Sequence, residues 1–185
     1  MTVQYSPTAM ARLPFTLRFT PVFVVLVAAA AVASAMSAES KASGFADAAA
    51  VLAVYVAALL VHEGAHAWVA RNAGLHVDGI IISAFGGVTR YSGADPGARV
   101  LRRIALAGPK GSFAAMLASL LVAAGASAAG WHNGPGALAA WSVEVNLFVG
   151  AVNLLPFGTL DGAAARRASR SVSTAPQTQE DDSLP

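Results

Sequence analysis

The sequence contains no cysteine, and charged residues make up only 12% of its 185 positions, about half their share in an average soluble domain. Without cysteine there are no disulfides, thiolate metal sites or cysteine nucleophiles, so any metal must be held by histidine and carboxylate side chains. No run of Lys and Arg interleaved with aromatic residues is present, which argues against nucleic acid as a partner. Hydrophobic residues form 56% of the chain, and its mean hydropathy is +0.58. These values predict one domain embedded in a lipid bilayer.

Four apolar segments are candidates for crossing that bilayer, at residues 21–36, 48–70, 104–129 and 137–157. They predict an all-α membrane protein with about four transmembrane helices in a domain covering 21–167, preceded by a cytoplasmic N-terminal segment, 1–20. The polar composition of 168–185 predicts a disordered tail. The first apolar segment also resembles a cleavable signal peptide, although its apolar part is long for one, and a retained helix is favoured.

Basic residues are concentrated in every second connection between these segments. They precede the first, fill the connection between the second and third, and follow the fourth: Arg12, Arg18, Arg71, Arg90, Arg99, Arg102, Arg103, Arg166, Arg167 and Arg170. The positive-inside rule then places both termini and the second connection in the cytoplasm. We expect a multi-pass protein of the plasma membrane, and the preference for Ala and Arg suggests a GC-rich bacterial genome.

The second connection contains a different pattern. Residues 77–91 are rich in isoleucine and valine around the pair Gly86-Gly87. Such runs favour strands, and paired glycines permit a tight reversal. The sequence therefore predicts a short membrane-associated β-hairpin between the second and third spans.

The second apolar segment carries a metal-binding motif, because His62, Glu63 and His66 form the pattern H-E-x-x-H. On a helix, the two histidines lie one turn apart on the same face and can bind one metal ion. Glu63 lies beside them, placed to take a proton from a water molecule. Ionisable residues in lipid are costly and usually mark a functional site. The motif therefore predicts a metalloprotease that works within the membrane.

A catalytic zinc commonly has three protein ligands, and carboxylates within or at the edge of the membrane are the candidates for the third. The chain offers Glu144 and Asp161. His66 and Asp161 are each followed five residues later by an arginine, Arg71 and Arg166. Both would therefore lie about 7 Å from the cytoplasmic boundary if the chain there is helical. This shared depth favours Asp161 as the third ligand.

The two halves of this pattern together resemble a known family. H-E-x-x-H in one span followed by N-x-x-P-x-x-x-L-D-G at Asn153–Gly162 resembles the site-2 protease family of intramembrane zinc metalloproteases. F-G-G at Phe85–Gly87 and A-G-P at Ala107–Pro109 resemble further landmarks of that family. The resemblance covers about residues 51–167, as a minimal form without a PDZ or CBS domain.

The chain departs from the family pattern in two places. Ser112 follows A-G-P in the sequence Lys110-Gly111-Ser112, where the family often has an asparagine. Ala163 stands where the family often has a second glycine after L-D-G. Neither departure affects the expected metal ligands.

The resemblance implies that His62, His66 and Asp161 bind one Zn²⁺ ion and that Glu63 is the general base. It implies that Asn153 hydrogen-bonds the substrate carbonyl or the oxyanion. The implied reaction is hydrolysis of a peptide bond in or near the transmembrane helix of a single-pass membrane protein, with the hairpin offering an edge to an unwound substrate strand. The sequence names neither that substrate nor a regulatory membrane partner.

A second hypothesis, a catalytically silent zinc-binding membrane scaffold, stays open. The presence of Glu63 argues against it, because Glu63 is not needed as a ligand.

Overall fold

The computed structural model describes residues 5–6, 16–21, 25, 41–83, 86–131 and 134–173. Within these ranges the helices are α1 (Lys41–Asn72), α2 (Gly97–Ala128), α3 (Pro135–Asn153) and α4 (Asp161–Ser173). The strands are β1 (Tyr5–Ser6), β2 (Thr16–Phe19), β3 (His76–Ser83) and β4 (Gly86–Ser92).

The chain is a mostly helical membrane protein. Three of its described helices contain segments long and apolar enough to cross a bilayer, namely Phe45–Asn72, Gly97–Ala128 and Pro135–Asn153. Large apolar side chains point outward from them, including Leu121 at 76% exposed and Phe148 at 65%, as expected for helices that face lipid. The predicted first span lies outside the described residues apart from Pro21 and Val25. The described part of the chain therefore has three candidate spans, against the four expected for the whole.

The last span is shorter than predicted, because α3 ends at Asn153 and not at Phe157. Pro156 cannot donate a backbone hydrogen bond, and it disfavours helical conformation in the residue before it. Gly158 then adopts a left-handed conformation, with φ of 65°. The chain turns through 154–160 and starts a new helix at Asp161. This break puts Asp161 in a first helical turn, outside the continuous span.

The prediction of a disordered tail from residue 168 is wrong for its first six residues, because α4 continues to Ser173. Alanine is the strongest helix former, and Ala165 and Ala168 are buried on one side of α4. The polar composition concealed this narrow apolar strip. Residues 174–185 lie outside the described part.

The predicted hairpin is present, with β3 and β4 antiparallel, but it belongs to a four-stranded sheet in the order β1-β4-β3-β2. Strand β2 pairs in parallel with Gly79–Ile82 of β3, and β1 pairs in parallel with Tyr91 and Ser92 of β4. The two added strands come from the segment predicted only as an N-terminal cytoplasmic stretch. They are four and two residues long, too short for an alternating pattern to be recognised.

Two apolar clusters join the sheet to the helices. One consists of Leu59, Ile80, Ile82 and Val149 and connects α1, β3 and α3. The other connects the end of α1 to β3, β4 and α2. It consists of Ala70, Leu75, Val77, Tyr91 and Ile104. Burial raises the pKa of Tyr91 to about 12, so its phenol stays neutral within this cluster. These contacts fix β4 against the face of α1 that carries the H-E-x-x-H motif.

Candidate metal centre

The structure brings the three predicted metal ligands together. His62 and His66 lie on one face of α1, and Asp161 approaches them from the first turn of α4. Oδ2 of Asp161 lies 2.9 Å from Nε2 of His62 and 3.1 Å from Nε2 of His66. All three side chains are at most 1% exposed. The two motifs, almost a hundred residues apart in sequence, thus form one buried cluster.

Helix α2 orients both imidazole rings through contacts with their Nδ1 atoms, on the side away from Asp161. Nδ1 of His66 donates to the backbone carbonyl of Ile104 at 2.7 Å. Nδ1 of His62 lies 2.9 Å from Oγ of Ser112, a fully buried hydroxyl. Metal-binding histidines usually engage their second ring nitrogen in this way, which fixes the ring and its tautomer. Both Nε2 atoms are consequently left facing Asp161.

The donor set fits a cation such as zinc. Nδ1 of His66 donates to Ile104, so in the neutral ring that a metal requires Nε2 presents a lone pair toward Oδ2 of Asp161. A cation among the three ligand atoms, which all lie within 4.8 Å of one another, satisfies these lone pairs together. Oδ1 of Asp161 is also buried without a hydrogen-bond partner. Two imidazoles and one carboxylate are a ligand set typical of catalytic zinc.

Gly108 of α2 leaves space beside these ligand atoms. A Cβ added at this position would lie 2.5 Å from Nε2 of His62 and closer still to Nε2 of His66. No side chain, not even a methyl group, fits there without displacing the imidazoles. The glycine of the A-G-P sequence therefore keeps the backbone of α2 against the metal-binding atoms.

Glu63 lies next to the cluster and is fully buried. The hydroxyl of Thr89 in β4 lies 2.8 Å from Oε2 of Glu63 and 3.0 Å from its backbone carbonyl. Oε1 of Glu63 has no hydrogen-bond partner. A Cβ at Gly87, also in β4, would lie 2.5 Å from Oε1 and from Cγ of Glu63. The strand thus holds one carboxylate oxygen and leaves room for the other.

The remaining predicted residues form no hydrogen bond to this cluster in the described part of the chain. Nδ2 of Asn153 donates to the Val149 carbonyl of its own helix at 2.9 Å. Glu144, the other carboxylate considered as a ligand, is exposed on α3. Asp161 is the carboxylate that the structure places at the histidines.

The roles of several contributing residues do not follow from the sequence. Ser112 stands out there only as a departure from a family pattern, and Gly108 only as part of A-G-P. Nothing in the sequence marks Thr89 or the carbonyl of Ile104, because their contacts depend on how β4 and α2 pack on α1. The H-E-x-x-H motif predicts contacts within one helix, but it does not predict contacts with residues far along the chain.

Comparison with known proteins supports the resemblance seen in the motifs. The chain is 41% identical over 116 residues to Putative zinc metalloprotease Rip3 of Mycobacterium tuberculosis, in both the Erdman and the H37Rv strains. This match covers 61% of the chain but only 29% of the length of these relatives. The fold is similar to the solved structure of a site-2 protease from Methanocaldococcus jannaschii, with a TM-score of 0.66 and 23% identity. That likeness covers 90% of this chain and 71% of the other. No protein-family model matches the sequence.

Proposed function

We propose, from the premise that this chain resembles the site-2 protease family of intramembrane zinc metalloproteases in sequence and in fold, that it is a zinc-dependent intramembrane endopeptidase. It would hydrolyse a peptide bond in or near the transmembrane helix of a single-pass membrane protein. The observation that carries the proposal is the buried cluster of His62, His66 and Asp161 with Glu63 beside it. Burying four ionisable side chains in a membrane protein, three of them within an apolar helix, is costly without a function.

In this proposal His62, His66 and Asp161 hold the zinc ion. A zinc ion bound there supplies a Lewis acid that polarises the scissile carbonyl and makes water nucleophilic at neutral pH. Glu63 accepts a proton from the attacking water through Oε1, its unpartnered oxygen, and delivers that proton to the departing amine. Thr89 keeps the carboxylate from rotating away by its contact with Oε2.

Asn153 is proposed to donate to the substrate carbonyl as negative charge develops on its oxygen. Its amide is bonded to Val149 of its own helix, so it must exchange that partner for the substrate. The position of Asn153 at the C-terminal end of α3 favours such an exchange, because the helix ends there and the chain turns toward Asp161.

An unwound substrate segment could pair with an open edge of the sheet, and strand β4 is a better candidate for that edge than β3. Within the described residues, β2 already pairs with β3 over Gly79–Ile82, whereas β1 pairs with β4 only at Tyr91 and Ser92. The part of β4 left open carries Gly87 and Thr89, the two residues that contact or adjoin Glu63. A strand added there would run beside the proposed general base.

The arrangement around Glu63 disfavours the scaffold hypothesis. Holding a zinc ion requires only the two histidines and Asp161, yet Gly87 and Thr89 shape and orient the carboxylate of Glu63 as well. A scaffold has no use for these contacts. The protein is further proposed to lie in a bacterial plasma membrane with both termini cytoplasmic, as its arginines suggest, and to need no nucleic acid.

Metal removal tests the proposal. The full chain, reconstituted in lipid vesicles with a set of fluorescently tagged single-pass proteins, is expected to cleave at least one of them. A zinc chelator should stop this cleavage, and addition of zinc after removal of the chelator should restore it. Mass spectrometry of the products should place the cut in or beside the transmembrane helix. Cleavage that survives complete zinc removal, or cuts confined to extramembrane domains, would contradict the proposal.

A further inference from the structure

An open cavity lies outside the metal centre, between the N-terminal half of α2 and helix α4. It has a volume of about 480 Å³ and is lined by Arg99, Arg102, Arg103, Leu106, Lys110 and Ser169. Four of these six side chains are positively charged, and none is acidic. Within the described residues, none of the four cations forms an ion pair. Among the residues that the structure describes, this positive charge therefore has no acidic partner.

The cations follow one face of α2. Arg99, Arg103, Leu106 and Lys110 are spaced by four, three and four residues, which aligns them along the helix. Lys110 lies about 16 Å from Arg99 along the helix axis, inside the candidate span Gly97–Ala128. That helix contains no acidic residue along its whole length. A lysine within a span calls for a counter-charge.

Helix α4 borders the cavity through Ser169. It is amphipathic, with buried alanines and with Arg166 and Arg167 exposed. Its one acidic residue, Asp161, is engaged by the two histidines. Two packed helices of like charge repel each other, and an anion between them would offset that repulsion.

We propose that this cavity binds the phosphate headgroup of an anionic phospholipid. Basic pockets between membrane helices are suited to such headgroups, and arginine matches the geometry of phosphate oxygens. A lipid fits better than a free phosphate, because the cations follow a membrane-spanning helix and Leu106 adds an apolar surface for an acyl chain. The phosphate would join α2 to α4.

The position of the cavity gives this binding a structural consequence. Helix α2 supports the histidines through Ile104, Gly108 and Ser112, and α4 supplies Asp161. A phosphate held between these helices would keep them together behind the metal centre. The binding itself does not depend on proteolysis, so it can be tested whether or not the chain is an enzyme.

Native mass spectrometry of the full chain in detergent tests this proposal, with phosphatidylglycerol and phosphatidylcholine of identical acyl chains as probes. The wild type should bind phosphatidylglycerol at least tenfold more tightly than it binds phosphatidylcholine. Replacing two cavity cations in R103Q/K110Q should weaken that binding by about 25-fold, since one cation near the surface is worth about fivefold.

The matched control is R71Q/R90Q, which removes the same charge from two exposed arginines that do not line the cavity. It should retain the preference for phosphatidylglycerol. Equal weakening by both double variants would reduce the effect to diffuse surface charge and overturn the proposal. Displacement of the lipid by an equal concentration of glycerol phosphate would overturn it in favour of a free-phosphate site. If R103Q/K110Q does not fold, the wild-type comparison of the two lipids decides, and equal affinity refutes the proposal.

Discussion

Replacing Glu63 with glutamine is expected to lower the rate of peptide hydrolysis by about a thousandfold while leaving the zinc content unchanged. General acid–base groups typically contribute factors of this size. Glutamine has nearly the same shape and retains a contact with Thr89, but it cannot accept a proton from water. Glu63 is not among the three residues whose ligand atoms converge, so the metal should remain.

The measurement is single-turnover cleavage of a reconstituted transmembrane substrate, together with zinc analysis of the same preparation. Glu144→Gln is the matched control, because it makes the same chemical change at an exposed glutamate of α3. That variant should cleave like the wild type. Equal cleavage by the wild type and Glu63→Gln would show that Glu63 is not the general base. Loss of zinc from Glu63→Gln would instead assign Glu63 to the ligand set.

Replacing Gly108 with alanine is expected to abolish zinc binding, although the substitution adds a single methyl group to a residue that is not a ligand. That methyl group would lie 2.5 Å from Nε2 of His62 and even closer to Nε2 of His66. Contacts this short force the imidazoles to move. They cannot move freely, because Ile104 and Ser112 hold their opposite nitrogens.

Zinc per chain after purification in detergent measures this effect, with circular dichroism to establish that the helices have formed. Gly125→Ala on the same helix is the control, since a Cβ there meets no atom within 4 Å. It should bind zinc like the wild type. A Gly108→Ala protein that is folded and retains full zinc would mean that α2 does not lie against the metal-binding atoms as described.

The metal ligands could be predicted from the sequence because their signals are local. His62 and His66 are related by one helical turn, and Asp161 is marked by a proline and glycines that break the preceding span. Arginines five residues after His66 and Asp161 also favoured Asp161, although Asp161 starts a separate helix and does not lie on the continued span that this argument assumed. Each of these signals lies within a few residues of the ligand it identifies.

The supporting residues could not be predicted, because their roles arise from packing. Thr89 reaches Glu63 only because two apolar clusters pack the β3–β4 hairpin against α1. Ser112 reaches His62 across the interface between two helices. In the same way, strands β1 and β2 are defined by partners far along the chain and not by their own pattern.

The end of the last span and the start of the tail were misplaced for a different reason. Apolar composition continues to Phe157, but backbone geometry at Pro156 ends the helix at Asn153. Polar composition begins at residue 168, but buried alanines extend α4 to Ser173. Hydropathy measures the solvent preference of a segment, whereas helix ends depend on hydrogen bonds and on contacts with neighbouring elements.

The most direct test is the amount of zinc per chain in detergent-purified wild type beside Asp161→Ala. We expect about one zinc per wild-type chain, from the ligand number of a single catalytic site, and a sharp loss in the variant, because Asp161 is the one carboxylate at the two histidines. This result would join both motifs in one metal site. A wild type without zinc, or equal zinc in both proteins, would contradict the site described here.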